Sequence, residues 1–156
     1  MKFIYLSGGM DGLSLADARS WRSDVTKDLA KKKIGTIDPT LKVDNKFLKT
    51  NKRLMQFDCK DFEDTAEGII LKDMAAIRKS DALLCNLLSL DKLTAEQGPV
   101  GTFEELFYAY RILHMPTFVV TSLRFGERPW VKGNATKIFY DLPVAIQYIV
   151  NHQQEL

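Results

Sequence analysis

The run Ala82-Leu83-Leu84-Cys85-Asn86-Leu87-Leu88, entered from Asp81, is almost continuously apolar. That pattern is expected of a strand buried on both faces, which belongs in a parallel sheet with helices on either side. The flanking segments agree. Residues 2–6 are apolar, β-branched or aromatic and break at Ser7-Gly8-Gly9, and residues 14–32 have helical periodicity with Ser14 and Asp17 as a cap pair. Residues 34–37 read as a short strand stopped by Asp38-Pro39, and residues 64–79 as a helix through Ala66, Ile70, Met74 and Ile77. A further helix carries Glu105, strands follow at 116–121 and 136–140, and a helix closes the chain at 143–152. Strands alternating with helices predict an α/β fold: one doubly wound, five-stranded parallel sheet, flavodoxin-like, in the order 2-1-3-4-5.

The chain has 156 residues, 46% hydrophobic and 27% charged, which fits a single domain over 1–156 with a real core. Residues 40–63 are polar and weakly patterned, as a lid or substrate loop would be. The net charge is +2, and Lys31-Lys32-Lys33 is the only basic cluster. No concentrated field for a nucleic-acid polymer results, and the triplet reads as the solvated end of a helix. Cys59 and Cys85 lie far apart without metal-ligand spacing, so they read as reduced thiols in the cytoplasm. Residues 1–6 are too short for a signal segment, and no apolar run approaches the ~20 residues that span a bilayer, so no membrane partner is expected.

Two acids stand out. Glu105, in Gly101-Thr102-Phe103-Glu104-Glu105-Leu106, is placed by a glycine turn in the first turn of a helix that follows the apolar strand. A carboxylate there stands where open α/β sheets bind ligands, which makes it a candidate nucleophile or acid/base. The same spacing from Thr102 is also a capping box, in which Glu105 would merely satisfy helix amides. Asp73 falls at helical spacing within the arc that should face the sheet, where a carboxylate needs a partner, such as a nearby amide or Arg78, or a chemical task. Tyr5 ends its strand just before the loop Ser7-Gly8-Gly9-Met10-Asp11-Gly12 and either sends its hydroxyl to the same crevice or is an ordinary core tyrosine. The loop glycines allow close ligand approach, yet the loop is neither a dinucleotide fingerprint nor a P-loop. His114 and His152 are isolated and read as structural, no G-x-S-x-G elbow occurs, and no metal or cofactor is implied.

Several segments, in order, resemble the nucleoside 2-deoxyribosyltransferase family: Phe3-Ile4-Tyr5-Leu6-Ser7-Gly8-Gly9-Met10-Asp11-Gly12-Leu13, Trp21-Arg22, Asp38-Pro39, Asp73-Met74-Ala75-Ala76-Ile77, Ser80-Asp81 with the apolar strand through Asn86, and Gly101 to Ala109. The related 2′-deoxynucleoside 5′-monophosphate N-hydrolases resemble these transferases in fold and nucleophile. The resemblance implies that Glu105 attacks the anomeric carbon to form a glycosyl-enzyme, that Glu104 is an exposed neighbour, that Asp73 lies near sugar and base, and that Tyr5 orients the nucleophile. It implies substrate contacts at Gly8, Gly9, Met10 and Asp11, which meet the nucleobase, and at Asn86, Gly101 and Thr102. A nucleoside or nucleotide is then the small-molecule partner, and a homodimer or higher homo-oligomer is expected. Six residues before Glu105, where these families often place Asp or Ser for sugar or phosphate contact, this chain has Pro99.

Two acids and a tyrosine suit N-glycosidic cleavage, because an ionised carboxylate stabilises and captures the developing oxocarbenium ion while an acid helps the base leave. Water as acceptor gives hydrolysis, and a second nucleobase gives transfer. Two other readings stay open. Gly98-Pro99-Val100-Gly101-Thr102-Phe103-Glu104-Glu105 also resembles the P-G-G-x-G-T-x-x-E motif of phosphoribohydrolases acting on ribonucleotides, with proline at the motif's second glycine. A non-catalytic nucleotide sensor would use Glu105 only as a cap and Asp73 only to bind a base.

Overall fold

The computed structural model describes residues 1–10, 13–42, 66–89 and 100–156. Five strands form one sheet: β1 (Phe3–Gly8), β2 (Gly35–Ile37), β3 (Ala82–Asn86), β4 (Thr117–Val120) and β5 (Lys137–Phe139). All four pairings are parallel and the order is β2-β1-β3-β4-β5, the expected doubly wound arrangement. β3 is buried at every position, which is why its sequence shows no alternation.

Helices α1 (Leu15–Ala30) and α6 (Leu142–Asn151) cover one face of the sheet, where Ile4, Leu6, Leu84, Phe118 and Val120 meet Val25, Leu29, Ala145 and Ile149. Helices α2 (Ala66–Arg78) and α3 (Val100–Phe107) lie on the other, with Ile77 and Leu106 against Tyr5, Leu83, Cys85 and Val119. α3 widens into a π turn over Tyr108–Ile112, and the short helices α4 (Leu123–Gly126) and α5 (Pro129–Lys132) connect β4 to β5. Strand parity therefore assigns Tyr5, Ser7 and Cys85 to the α2–α3 face, and Ile4 and Leu6 to the α1 face.

The Ser14 cap and the exposed lysine end of α1 are as read from the sequence. Ser14 caps α1 by accepting from the Asp17 amide at 3.1 Å, and Asp141 caps α6 in the same way through Val144. The three lysines are exposed at the end of α1, where Lys33 takes a left-handed φ of 58° and the Ile34 amide returns to Leu29. A left-handed His114, at φ 52°, ends the π turn, while His152 caps α6 with its ring stacked 4.0 Å from that of Tyr148. The lid expected over 40–63 falls mostly outside the described residues; its first part, Pro39–Lys42, is a 3-10 turn in which Thr40 is held by the Asp38 carboxylate.

Two expectations change. α3 starts at Val100, so Thr102 lies inside the helix and Glu105 in its second turn, not its first. Thr102 is therefore not an N-cap, and the Glu105 carboxylate leaves the helix for β1. On α2, Ile70 is 48% exposed while Ile77 is buried. The inward arc thus passes nearer Asp73 than the spacing through Ile70 implied.

Candidate active site

In the order 2-1-3 the chain leaves β1 toward β2 on one side and later returns to β3 on the other, so the β1–β3 boundary is the topological switch point where such sheets take ligands. Glu105 reaches that boundary from α3. Its Oε1 accepts the Tyr5 hydroxyl at 2.7 Å and its Oε2 accepts the Ser7 hydroxyl at 2.5 Å. Tyr5 and Ser7 are fully buried and two residues apart on β1, which puts both hydroxyls on the face that α3 covers. Cys85, directly opposite Ser7 in the β1–β3 register, is also fully buried.

Burial and, next, the charge of Asp73 push the Glu105 carboxyl up to about 7, against the Ser7 and Tyr5 hydrogen bonds and the Arg22 guanidinium, which favour the ionised form. Burial likewise raises Asp73, opposed by Lys72, Arg22 and the Tyr5 hydroxyl. Tyr5 is held protonated, well above its ordinary range, first by burial and then by the charges of Glu105 and Asp73. Burial pushes the Cys85 thiol to about 12, so it is a neutral neighbour and not a nucleophile. The arrangement is a pair of interacting acids whose ionisation is displaced toward neutrality, with a phenol that remains a donor. Displaced carboxyls of this kind characterise acid/base and nucleophilic sites.

The structure thus brings Glu105, Asp73 and Tyr5 together. Arg78, an expected partner for Asp73, is engaged elsewhere: it lies 5.6 Å from the Tyr108 ring centroid and donates to that hydroxyl at 2.5 Å. Gly8 and Gly9 are buried at the end of β1 and Met10 is half-buried, whereas Asp11 and Pro99 lie outside the described residues. A Cβ on Gly8 would stand 2.9 Å from the Trp21 ring and 3.0 Å from the Asn86 carbonyl, so this glycine is required by packing. Asn86 uses its side-chain oxygen to accept from the Leu88 amide at 3.1 Å, an Asx turn that ends β3. Thr102 is buried, while Gly101 is exposed and a Cβ there meets nothing within 4 Å.

Two residues of the cluster were not singled out for a role. Ser7 could have been found by stepping two residues along the strand from Tyr5. Arg22 follows Leu15 and Ala18 on the inward arc of α1 and precedes Val25, a position that flags a buried charge. Its guanidinium donates to the Leu6, Ala18 and Gly8 carbonyls, faces the Asp38 carboxylate at 3.7 Å and covers the Trp21 ring at 4.6 Å. It therefore fixes the end of β1 from the opposite face of the sheet.

Glu104, one residue before the inward acid, is exposed on the outer side of α3. It lines a separate, mainly apolar groove of about 680 Å³ formed with Val100, Phe103, Phe107, Trp130 and Arg128 among others. That groove lies apart from the acid pair. No family model matches the chain, and no curated protein does.

Proposed function

We propose that this chain cleaves the N-glycosidic bond of a (2′-deoxy)nucleoside or nucleoside monophosphate through a glycosyl-enzyme on Glu105, and passes the sugar to water or to another nucleobase. The observation that carries this reading is the Glu105 carboxylate itself, gripped on both oxygens by Tyr5 and Ser7 and displaced to about 7 beside Asp73. In the first half-reaction a Glu105 oxygen bonds to C1′ as the C1′–N bond breaks, and Asp73, whose raised pKa suits it to carry a proton, protonates the departing base. In the second, the acceptor attacks C1′, its proton passes to Asp73, and the Glu105 carboxylate is released. Two displacements at one carbon retain its configuration. The same reading gives Gly8, Gly9 and Met10, at and just past the end of β1, the contact with the base that the resemblance implies.

The free, buried Cys85 supports a reducing, cytoplasmic setting. Among the described residues no helix is long and apolar enough to cross a membrane. We also propose a homo-oligomer, supported by the groove outside α3, whose rim carries Val100 at 66% and Trp130 at 73% exposure.

The test is a panel of deoxyribonucleosides, ribonucleosides and their 5′-monophosphates, incubated with and without a free acceptor base and separated chromatographically. Wild type releases or exchanges the base, Glu105→Ala loses at least about 10³-fold in turnover, and Glu104→Ala stays near wild type. Binding without base release over hours would leave a nucleotide sensor in place of an enzyme.

A further inference from the structure

Ser7 is at 0% exposure on β1, so no ligand reaches its hydroxyl, yet that hydroxyl makes a 2.5 Å contact with the acid at the centre of the cluster. The two donors to Glu105 address different oxygens: Tyr5 takes Oε1 at 2.7 Å and Ser7 takes Oε2. One donor would leave the carboxylate free to rotate about its last side-chain bond. Two donors from one rigid strand hold the plane of the group as well as its position. We propose that Ser7 is a positioning residue that orients the Glu105 carboxylate and favours its ionised form. The proposal deepens the reading of Glu105 as the nucleophile and rests on it.

Among the described residues, the hydrogen-bond donors and charged groups that act on Glu105 can be placed. Tyr5 and Ser7 come from β1, Asp73 from α2, and the Arg22 guanidinium from α1 beyond the sheet. Asp73 and burial oppose ionisation, and Arg22 acts without a hydrogen bond to the carboxylate. Ser7 and Tyr5 are thus the two hydrogen-bond donors that favour the charged form, and Tyr5 must also serve Asp73. Cys85 stands opposite Ser7 on β3, and burial keeps its thiol protonated. Both donors to Glu105 are in place before any ligand arrives.

The experiment reads the carboxylate directly. Glutamate is labelled at its carboxyl carbon, the Glu105 resonance is assigned by its loss in Glu105→Gln, and its midpoint is followed by ¹³C NMR against pH in wild type, Ser7→Ala and Ser7→Cys, each first shown to unfold cooperatively. Loss of one charge-assisted donor raises the midpoint by about one unit in Ser7→Ala, and the poorer thiol donor of Ser7→Cys gives a smaller rise. In turnover, the acid limb of the kcat/KM profile moves to higher pH by the same amount, since the nucleophile must be ionised. A midpoint within about 0.3 units of wild type in folded Ser7→Ala, or a rise in Ser7→Cys as large as that in Ser7→Ala, overturns the proposal. The titration requires no substrate, so it decides the role of Ser7 even if no nucleoside is cleaved, and a failed substrate panel would count only against the glycosidase reading.

Discussion

Glu105 carries an energetic conflict that can be measured. Its carboxyl ionises near 7 in the folded protein against an ordinary value of 4.5, so the native state holds the proton more tightly than the unfolded chain does. Stability from this group is complete below about 4.5 and is lost as pH rises to about 7, the sign for an acid with a raised folded value. The loss is on the order of 2 kcal/mol, the full shift being discounted because the residue is not wholly enclosed. Glu105→Gln therefore abolishes turnover yet melts higher than wild type at pH 8, with the gap closing toward pH 4.5, as thermal unfolding across that range would record. A gap independent of pH would mean that Glu105 is not strained. Gly8 obeys the opposite logic: its missing side chain is needed because Trp21 and the Asn86 carbonyl already occupy the space.

At the scale of elements, α3 has two distinct faces. Leu106 is buried against the sheet with Glu105 beside it, while Val100, Glu104 and Phe107 are exposed. Helical rotation by about 100° per residue explains how adjacent glutamates reach different surfaces. Gly101 sits in the first turn of α3 with open space at its Cβ, so neither packing nor backbone conformation requires glycine there. Gly101→Ala raises stability by about 0.5–1 kcal/mol through lower entropy of the unfolded chain, measurable as a higher urea midpoint. If the midpoint rises while KM for the substrate climbs as well, the glycine is serving ligand approach, the role its place in the motif implied.

For the whole molecule, the doubly wound topology converts sequence-distant residues into one cluster. Tyr5 and Ser7 are 100 and 98 residues from Glu105, and only the crossovers on both sides of β1 bring them to the same switch point. The same architecture leaves the outer side of α3, with the π turn and α5, without a covering layer among the described residues. A monomer rarely exposes so apolar a face, and a two-fold contact would let it cover itself. Sedimentation velocity on the wild type is expected to show a dimer or larger species, and Trp130→Glu a folded monomer. A wild type that sediments as a monomer at tens of micromolar would refute the assembly.

The sequence by itself determined the order of the strands and of the four long helices, the five-stranded sheet and the Ser14 cap, because each follows from local periodicity and capping chemistry, while the short helices between β4 and β5 were not legible in it. It also marked Glu105 and Tyr5, although spacing alone could not separate a helix cap from an acid aimed at the sheet. That choice was tertiary: the start of α3 at Val100 takes Thr102 away from the cap position, and β1 supplies two hydroxyls at the level of the second helical turn. The same holds for Arg22, whose neighbours are carbonyls with no signature in side-chain sequence, and for Ser7, whose partners are set by the β1–β3 register and the docking of α3. Periodicity decides which face a residue takes. Which residue it meets there depends on register and packing between elements far apart in the chain, and those exist only once the sheet has formed.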